Sequence, residues 1–141
     1  MTVVSVMTPN PACCTATTPL RDVARMMRDH DCGQIPVVDA SQRPIGVVTD
    51  RDIAMRVVAE GRDSNGATAA DAMTMPVRTV STDTSLADCV HLMEADQIRR
   101  VPVVDASGKL VGIVAIADLA LAGKQKVTAE VVKEVSEPMR H

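Results

Sequence analysis

A chain of 141 residues, 46% of them apolar, is long enough to close one compact domain around a sizeable core. Phe, Tyr and Trp are all absent, so that core has to be built from Val, Ile, Leu, Ala and nine methionines, whose unbranched side chains fill gaps between branched neighbours. A net charge of −3 with no basic block, and no aromatic platform for stacking bases, argues against a nucleic-acid backbone as partner.

In chain order, Thr18-Pro19 offers a capping hydroxyl before a proline suited to a first helical turn. Leu20, Val23, Ala24 and Met27 then fall on one helix face. Ile35 to Asp39 reads as a strand, rich in β-branched residues, with Pro36 near its start. Ala40 to Pro44 is a turn into a second strand, Ile45 to Val48, and a helix opens near Asp50 and runs toward Glu60. The polar stretch from Gly61 to Ala69 reads as a surface linker. The series then starts again. Leu86, Cys89, Val90 and Met93 mark a helix face, Val101 to Asp105 and Leu110 to Val114 are strands around the turn Ala106 to Lys109, and a helix follows from about Ile116 to Leu121. Val127, Val131 and Val135 keep helical spacing in a tail that Pro138 ends.

The second series is a copy of the first, 66 positions on. Met7-Thr8 returns as Met73-Thr74, Ile35-Pro36-Val37-Val38-Asp39 as Val101-Pro102-Val103-Val104-Asp105, and Gly46 as Gly112. Between 7–54 and 73–120, 16 of 48 positions are identical without a gap. A period this long makes each copy a complete supersecondary unit, and two such units bury their apolar faces on each other, leaving related clefts at the seam. The boundaries expected are 7–60 for the first copy, 61–70 for a linker, 71–123 for the second copy and 124–141 for a partly helical tail.

No stretch approaches the roughly 20 apolar residues of a membrane span, and the N-terminus lacks the pattern of a secretion signal, which points to the cytoplasm. Cys13, Cys14, Cys32 and Cys89 show no C-x-x-C spacing and read as free thiols in a reducing compartment. A Cys14–Cys32 bridge or a redox role is the alternative, and a redox role needs a depressed thiol pKa. His30, His91 and His141 do not combine with the cysteines at zinc-ligand spacing, so no metal is expected. Nothing resembles a Ser-His-Asp set, a P-loop or a Gly-rich dinucleotide turn, and no catalytic residue is assigned.

The order helix, Pro-Val-Val-Asp strand, turn, Gly-Val-Val strand, then Asp opening a helix, given twice, resembles the cystathionine-β-synthase (CBS) domain pair over about 7–57 and 73–123. Thr49-Asp50-Arg51-Asp52-Ile53 and Arg99-Arg100-Val101-Pro102-Val103 draw it toward small stand-alone bacterial CBS pairs, including the hypoxic response protein type. The resemblance implies an α/β (α+β) fold of two β-α-β-β-α units packed pseudo-symmetrically as one module. It also implies a non-catalytic regulatory or sensor role, binding of an adenosine-containing ligand such as AMP, ATP or S-adenosylmethionine between the repeats, and a homodimer. No cofactor is required. Carried over residue by residue, one cleft combines Thr49 and Asp52 with Val80, Ser81, Ile98, Arg99, Val101 and Pro102. The other combines Asp118 with Cys14, Thr15, Cys32, Ile35 and Pro36, and has Ala115 where the first has the Thr49 hydroxyl, so the first is expected to be the better site.

The residues also allow a plainer reading. Thr49 followed three positions later by Asp52 is a capping pair that satisfies the free amides of a helix start. Asp118 keeps the acid without the hydroxyl, which hints at a separate task such as accepting hydrogen bonds from a ribose diol. Of Arg99 and Arg100, strand alternation turns one toward the cleft, unless both pair with Asp96 or Asp105. The competing functions are a ligand-free dimeric interaction module of stress-response type and a thiol-based redox-responsive protein.

Overall fold

The computed structural model describes residues 1–123; the expected tail of 124–141 lies outside the described residues. After a 3-10 turn at Val3–Ser5, the first copy runs β1 (Thr8–Pro9), α1 (Leu20–Asp29), β2 (Gln34–Val38), β3 (Pro44–Thr49) and α2 (Asp50–Ile53), which continues as a π-helical stretch, Ala54–Val58. The second runs α3 (Ala69–Ala72), β4 (Val80–Ser81), α4 (Leu86–Asp96), β5 (Arg100–Val104), β6 (Leu110–Ala115) and α5 over 116–123.

The two hairpins, β2–β3 and β5–β6, are antiparallel and carry the same bulge, between Val37 and Val38 and between Val103 and Val104. Each turn is tied by an aspartate: Asp39 Oδ1 accepts the amides of Ser41 and Arg43, at 2.8 and 3.0 Å, and Asp105 Oδ1 those of Ser107 and Lys109, at 2.9 and 3.0 Å. Short side chains that bind their own backbone make such turns, which is why Asp-Ala-Ser recurs. β4 lies parallel to β5 with Val80 opposite Val103, and Cys14 takes the same place opposite Val37 in the first copy as a single bridge.

Each copy's opening segment belongs to the other copy. β1 pairs with β6, Thr8 opposite Ile113, and Thr74 pairs in turn with Val47 of β3. The Val3 amide donates to the Thr84 carbonyl and the Ala69 amide to the Thr18 carbonyl, both at 2.9 Å. The cores follow the same exchange. Leu20, Val23, Ile35, Val37, Val48 and Val57 bury Ala67, Ala69 and Ala72 among them, whereas Val80, Cys89, Met93, Val101, Val103 and Val114 enclose Val3. At about 25 cal/mol per Å² of apolar surface, these fully buried side chains supply the main drive for closing the halves together. Gly46 and Gly112 lie where the exchanged segments cross: a Cβ on Gly46 would meet the Thr74 carbonyl oxygen at 2.9 Å. At Gly46 the backbones approach too closely for a side chain, whereas at Gly112 the Met7 side chain stands nearest.

Three local expectations are corrected. Thr18 does not cap α1, because its Oγ1 accepts the Thr15 amide at 3.0 Å; the Leu20 amide is satisfied instead by the Ala67 carbonyl at 2.9 Å. Ala24 is exposed, since the α1 face toward the core is only as wide as Leu20, Val23 and Met27. Within the stretch read as a surface linker, 61–66 are exposed but Ala67 and Ala69 are buried, because the segment opening the second copy enters the first copy's core.

Candidate ligand site at the two helix starts

Thr49 ends β3 and caps α2. Its Oγ1 accepts the Asp52 amide at 3.0 Å, and Asp52 Oδ2 accepts the Thr49 amide at 2.9 Å, a complete capping box. Thr74, delivered by the exchanged segment, places its hydroxyl 3.3 Å from both Asp52 oxygens and donates into the carboxylate. Arg56, on the π-helical stretch, donates to the carbonyls of Ala72 and Met73 at 3.0 and 2.6 Å. The first copy's last helix is thus joined to the second copy through two side chains, Thr74 and Arg56.

At the start of α5 the hydroxyl is missing and the amide of Ala115 donates directly to Asp118 Oδ2 at 3.2 Å. Half of the capping box therefore survives, which already accounts for the acid that Ala115 leaves without a hydroxyl partner. Asp118 lines a cavity of about 190 Å³ together with Ser5, Val6, Leu121 and Ala122. This cavity too lies across the exchange, with Ser5 and Val6 from the first copy and the other three from the second.

Val80, Ser81, Val101 and Pro102 come together in the sheet formed by β4 and β5, with Val80, Val101 and Pro102 buried. Ile98 is half-buried, and Arg99 is exposed just before β5. The Arg99 carbonyl accepts the Ile116 amide at 2.7 Å, so its backbone stands at the foot of the Asp118 helix, in its own copy. Neither expected partner takes the arginines: Asp96 Oδ2 is 2.8 Å from Arg78 Nε, and Asp105 is occupied by its own turn. Cys14, Ile35 and Pro36 are buried at the joint of Cys14 with β2, Thr15 is exposed, and Cys32 is half-buried. Thr74, Arg56, Ser5, Val6, Leu121 and Ala122 were absent from the sequence-derived set. Thr74 lies in the repeated Met-Thr pair, whereas the other five differ from their counterparts 66 positions away and carry no local sequence signal.

All four cysteines are free. Burial pushes the thiols of Cys13 and Cys89 up, and that of Cys14 up to about 11, helped by the neighbouring Cys13. Such thiols are poor nucleophiles at neutral pH. Among the described residues, no three His, Cys, Asp or Glu side chains converge as metal ligands, and no helix is long and apolar enough to cross a membrane.

Comparison with known proteins places this architecture. The CBS domain profile matches residues 3–59 and 69–124, so both matches include the exchanged opening segments. Hypoxic response protein 1 of Mycobacterium tuberculosis is 37% identical over 120 residues, 85% of this chain and 83% of that protein. The chain spans half the length of the Methanopyrus kandleri protein MK0525, to which it is 40% identical over 98 residues. The crystal structure of Hypoxic Response Protein I with two coordinated zinc ions superposes with a TM-score of 0.78 at 36% identity, covering 85% of this chain and 97% of that one. CBSX2 in complex with AMP gives 0.78 at 30% identity, over 88% and 97% of the two chains. The CBS domain pair of MJ0100, in complex with 5-methylthioadenosine and S-adenosyl-L-methionine, gives 0.80 at 25%, over 89% and 98%. The chain belongs to the CBS domain family and consists, over its described residues, of a tandem CBS pair.

Proposed function

We propose that this protein is a non-catalytic regulatory module that binds an adenosine-containing ligand, such as AMP, ATP or S-adenosylmethionine, at the seam between its two repeats. The observation that carries this reading is the exchange of opening segments. It sets the aspartate of each helix start against residues of the other copy, Asp52 against the Thr74 hydroxyl and Asp118 across a cavity from Ser5 and Val6. A ligand there touches both repeats, so its binding energy depends on how the two are set and can bias that setting. The AMP complex of CBSX2 and the S-adenosylmethionine complex of MJ0100 support the ligand class. Met55, Val58 and Leu121 on the last helices are large apolar side chains left exposed, and we assign them to the contact of a cytoplasmic homodimer.

The second reading, a ligand-free interaction module, draws on the capping contacts, which give both aspartates a structural task. A simple measurement separates the two. With no Tyr or Trp, the protein is nearly transparent in the near ultraviolet, so an absorption band that survives washing after incubation with AMP comes from bound adenine. Calorimetric titration with AMP, ATP and S-adenosylmethionine then ranks the ligands. If none binds while a dimer persists, the interaction module is the better account.

A further inference from the structure

The two helix starts are equivalent in sequence and unequal in space. The five residues around the cavity, Ser5, Val6, Asp118, Leu121 and Ala122, have as counterparts 66 positions away Asp71, Ala72, Asp52, Met55 and Arg56. The decisive exchange is Ala122 for Arg56. Where Ala122 has only a methyl group, Arg56 extends from the π-helical stretch to the carbonyls of Ala72, the counterpart of Val6, and Met73. The carboxylates differ in the same sense. Asp52 accepts from the Thr49 amide and from Thr74 at both oxygens, whereas Asp118 accepts only the Ala115 amide, and its Oδ1 makes no hydrogen bond among the described residues. Thr8, the counterpart of Thr74, is exposed and makes no hydrogen bond to Asp118.

We propose that the ligand pocket of this chain is the one at Asp118, and that the equivalent place at Asp52 is closed by Arg56 and Thr74. This reverses the preference the sequence suggested and rests on the adenosine-ligand reading above. A carboxylate with one unused oxygen takes hydroxyl donors, and Val6, Leu121 and Ala122 add apolar side chains to a lining that is polar and apolar in similar measure. Ser5 Oγ donates to the Thr2 carbonyl at 2.8 Å and keeps its lone pairs as a second acceptor. Two acceptors beside apolar side chains match a vicinal diol on a sugar ring. At about 190 Å³ the cavity is smaller than the roughly 300 Å³ from which whole-ligand pockets start, so it receives the ribose while the base lies along the seam outside it.

Calorimetry of the full chain with AMP tests this, with Asp118→Asn, Asp52→Asn, Ala122→Arg and Arg56→Ala variants whose folding is checked by thermal unfolding. The expected result is one AMP per chain, weakened about ten-fold or more in Asp118→Asn by loss of a charged acceptor. Ala122→Arg, which copies the closed side, is expected to abolish binding, and Arg56→Ala to admit a second AMP. Two equivalent AMP molecules per wild-type chain, or loss in Asp52→Asn with Asp118→Asn still binding, overturns the assignment while leaving the adenosine reading intact. Failure of the wild type to bind AMP, ATP, adenosine or S-adenosylmethionine overturns that reading and the assignment with it.

Discussion

The starts of α2 and α5 hold the same place in the repeat, and they differ in how many hydrogen bonds engage each one. At α2, a capping box, the Thr74 hydroxyl and the Arg56 clamp consume the polar groups. At α5, among the described residues, a single amide meets Asp118, and a cavity lies beside it. The difference teaches that an acid kept at both helix starts need not serve the same purpose twice: with its partners present it is a structural joint, and with them missing it has an oxygen to offer.

Removing each acid is expected to have the largest effect. Asp52→Ala strands the Thr49 amide and the Thr74 hydroxyl and is expected to cost ~2–3 kcal/mol, against ~1 kcal/mol for Asp118→Ala, which strands one amide. Denaturant unfolding measures both, and equal losses would contradict the account. Next come the glycines at the crossings. Gly46→Ala drives its Cβ against the backbone oxygen of Thr74, whereas Gly112→Ala meets first the end of the Met7 side chain, which can turn away. An overpacking cost of ~1–3 kcal/mol is expected for the first and clearly less for the second, read as a difference in melting temperature.

A smaller effect is expected from making the two helix starts alike. Ala115→Thr restores the missing capping hydroxyl and is expected to add up to ~1 kcal/mol, while Thr49→Ala removes about as much. The smallest effect concerns Cys14, which stands where the second copy has Val80. The folded protein holds this thiol proton more tightly than the unfolded chain does, since burial moves its pKa from 9.0 to about 11. The contribution to stability is therefore flat below pH 9.0 and falls as pH rises toward about 11. Thermal unfolding across that window, in the wild type and in Cys14→Ala, isolates it. Rapid alkylation of Cys14 at neutral pH would revive the redox reading.

Much of this was legible in the sequence for a physical reason. Asp39 and Asp105 fix their turns through bonds to amides two and four residues on, and Ile35, Val37, Val101 and Val103 sit in strands that any β-branched run of that length predicts. The elements whose bonds are local could be read locally. What escaped depends on contacts across the exchange. Nothing near Thr18 in sequence says that the Ala67 carbonyl will satisfy the first amide of α1, and nothing near Arg56 says that its guanidinium will find Ala72 and Met73. The preference for the Asp52 cleft followed from its intact Thr49-x-x-Asp52 pattern. That pattern is what the capping box uses up, so the more complete motif marks the more occupied carboxylate.

Chemical-shift mapping of the isotope-labelled protein titrated with AMP reports both helix starts in one experiment. With AMP bound at Asp118, the amides of Ser5, Val6, Ala115, Leu121 and Ala122 are expected to shift while those of Thr49, Asp52 and Thr74 stay unmoved. Shifts centred on Thr49, Asp52 and Thr74, with the Asp118 group silent, would contradict that placement.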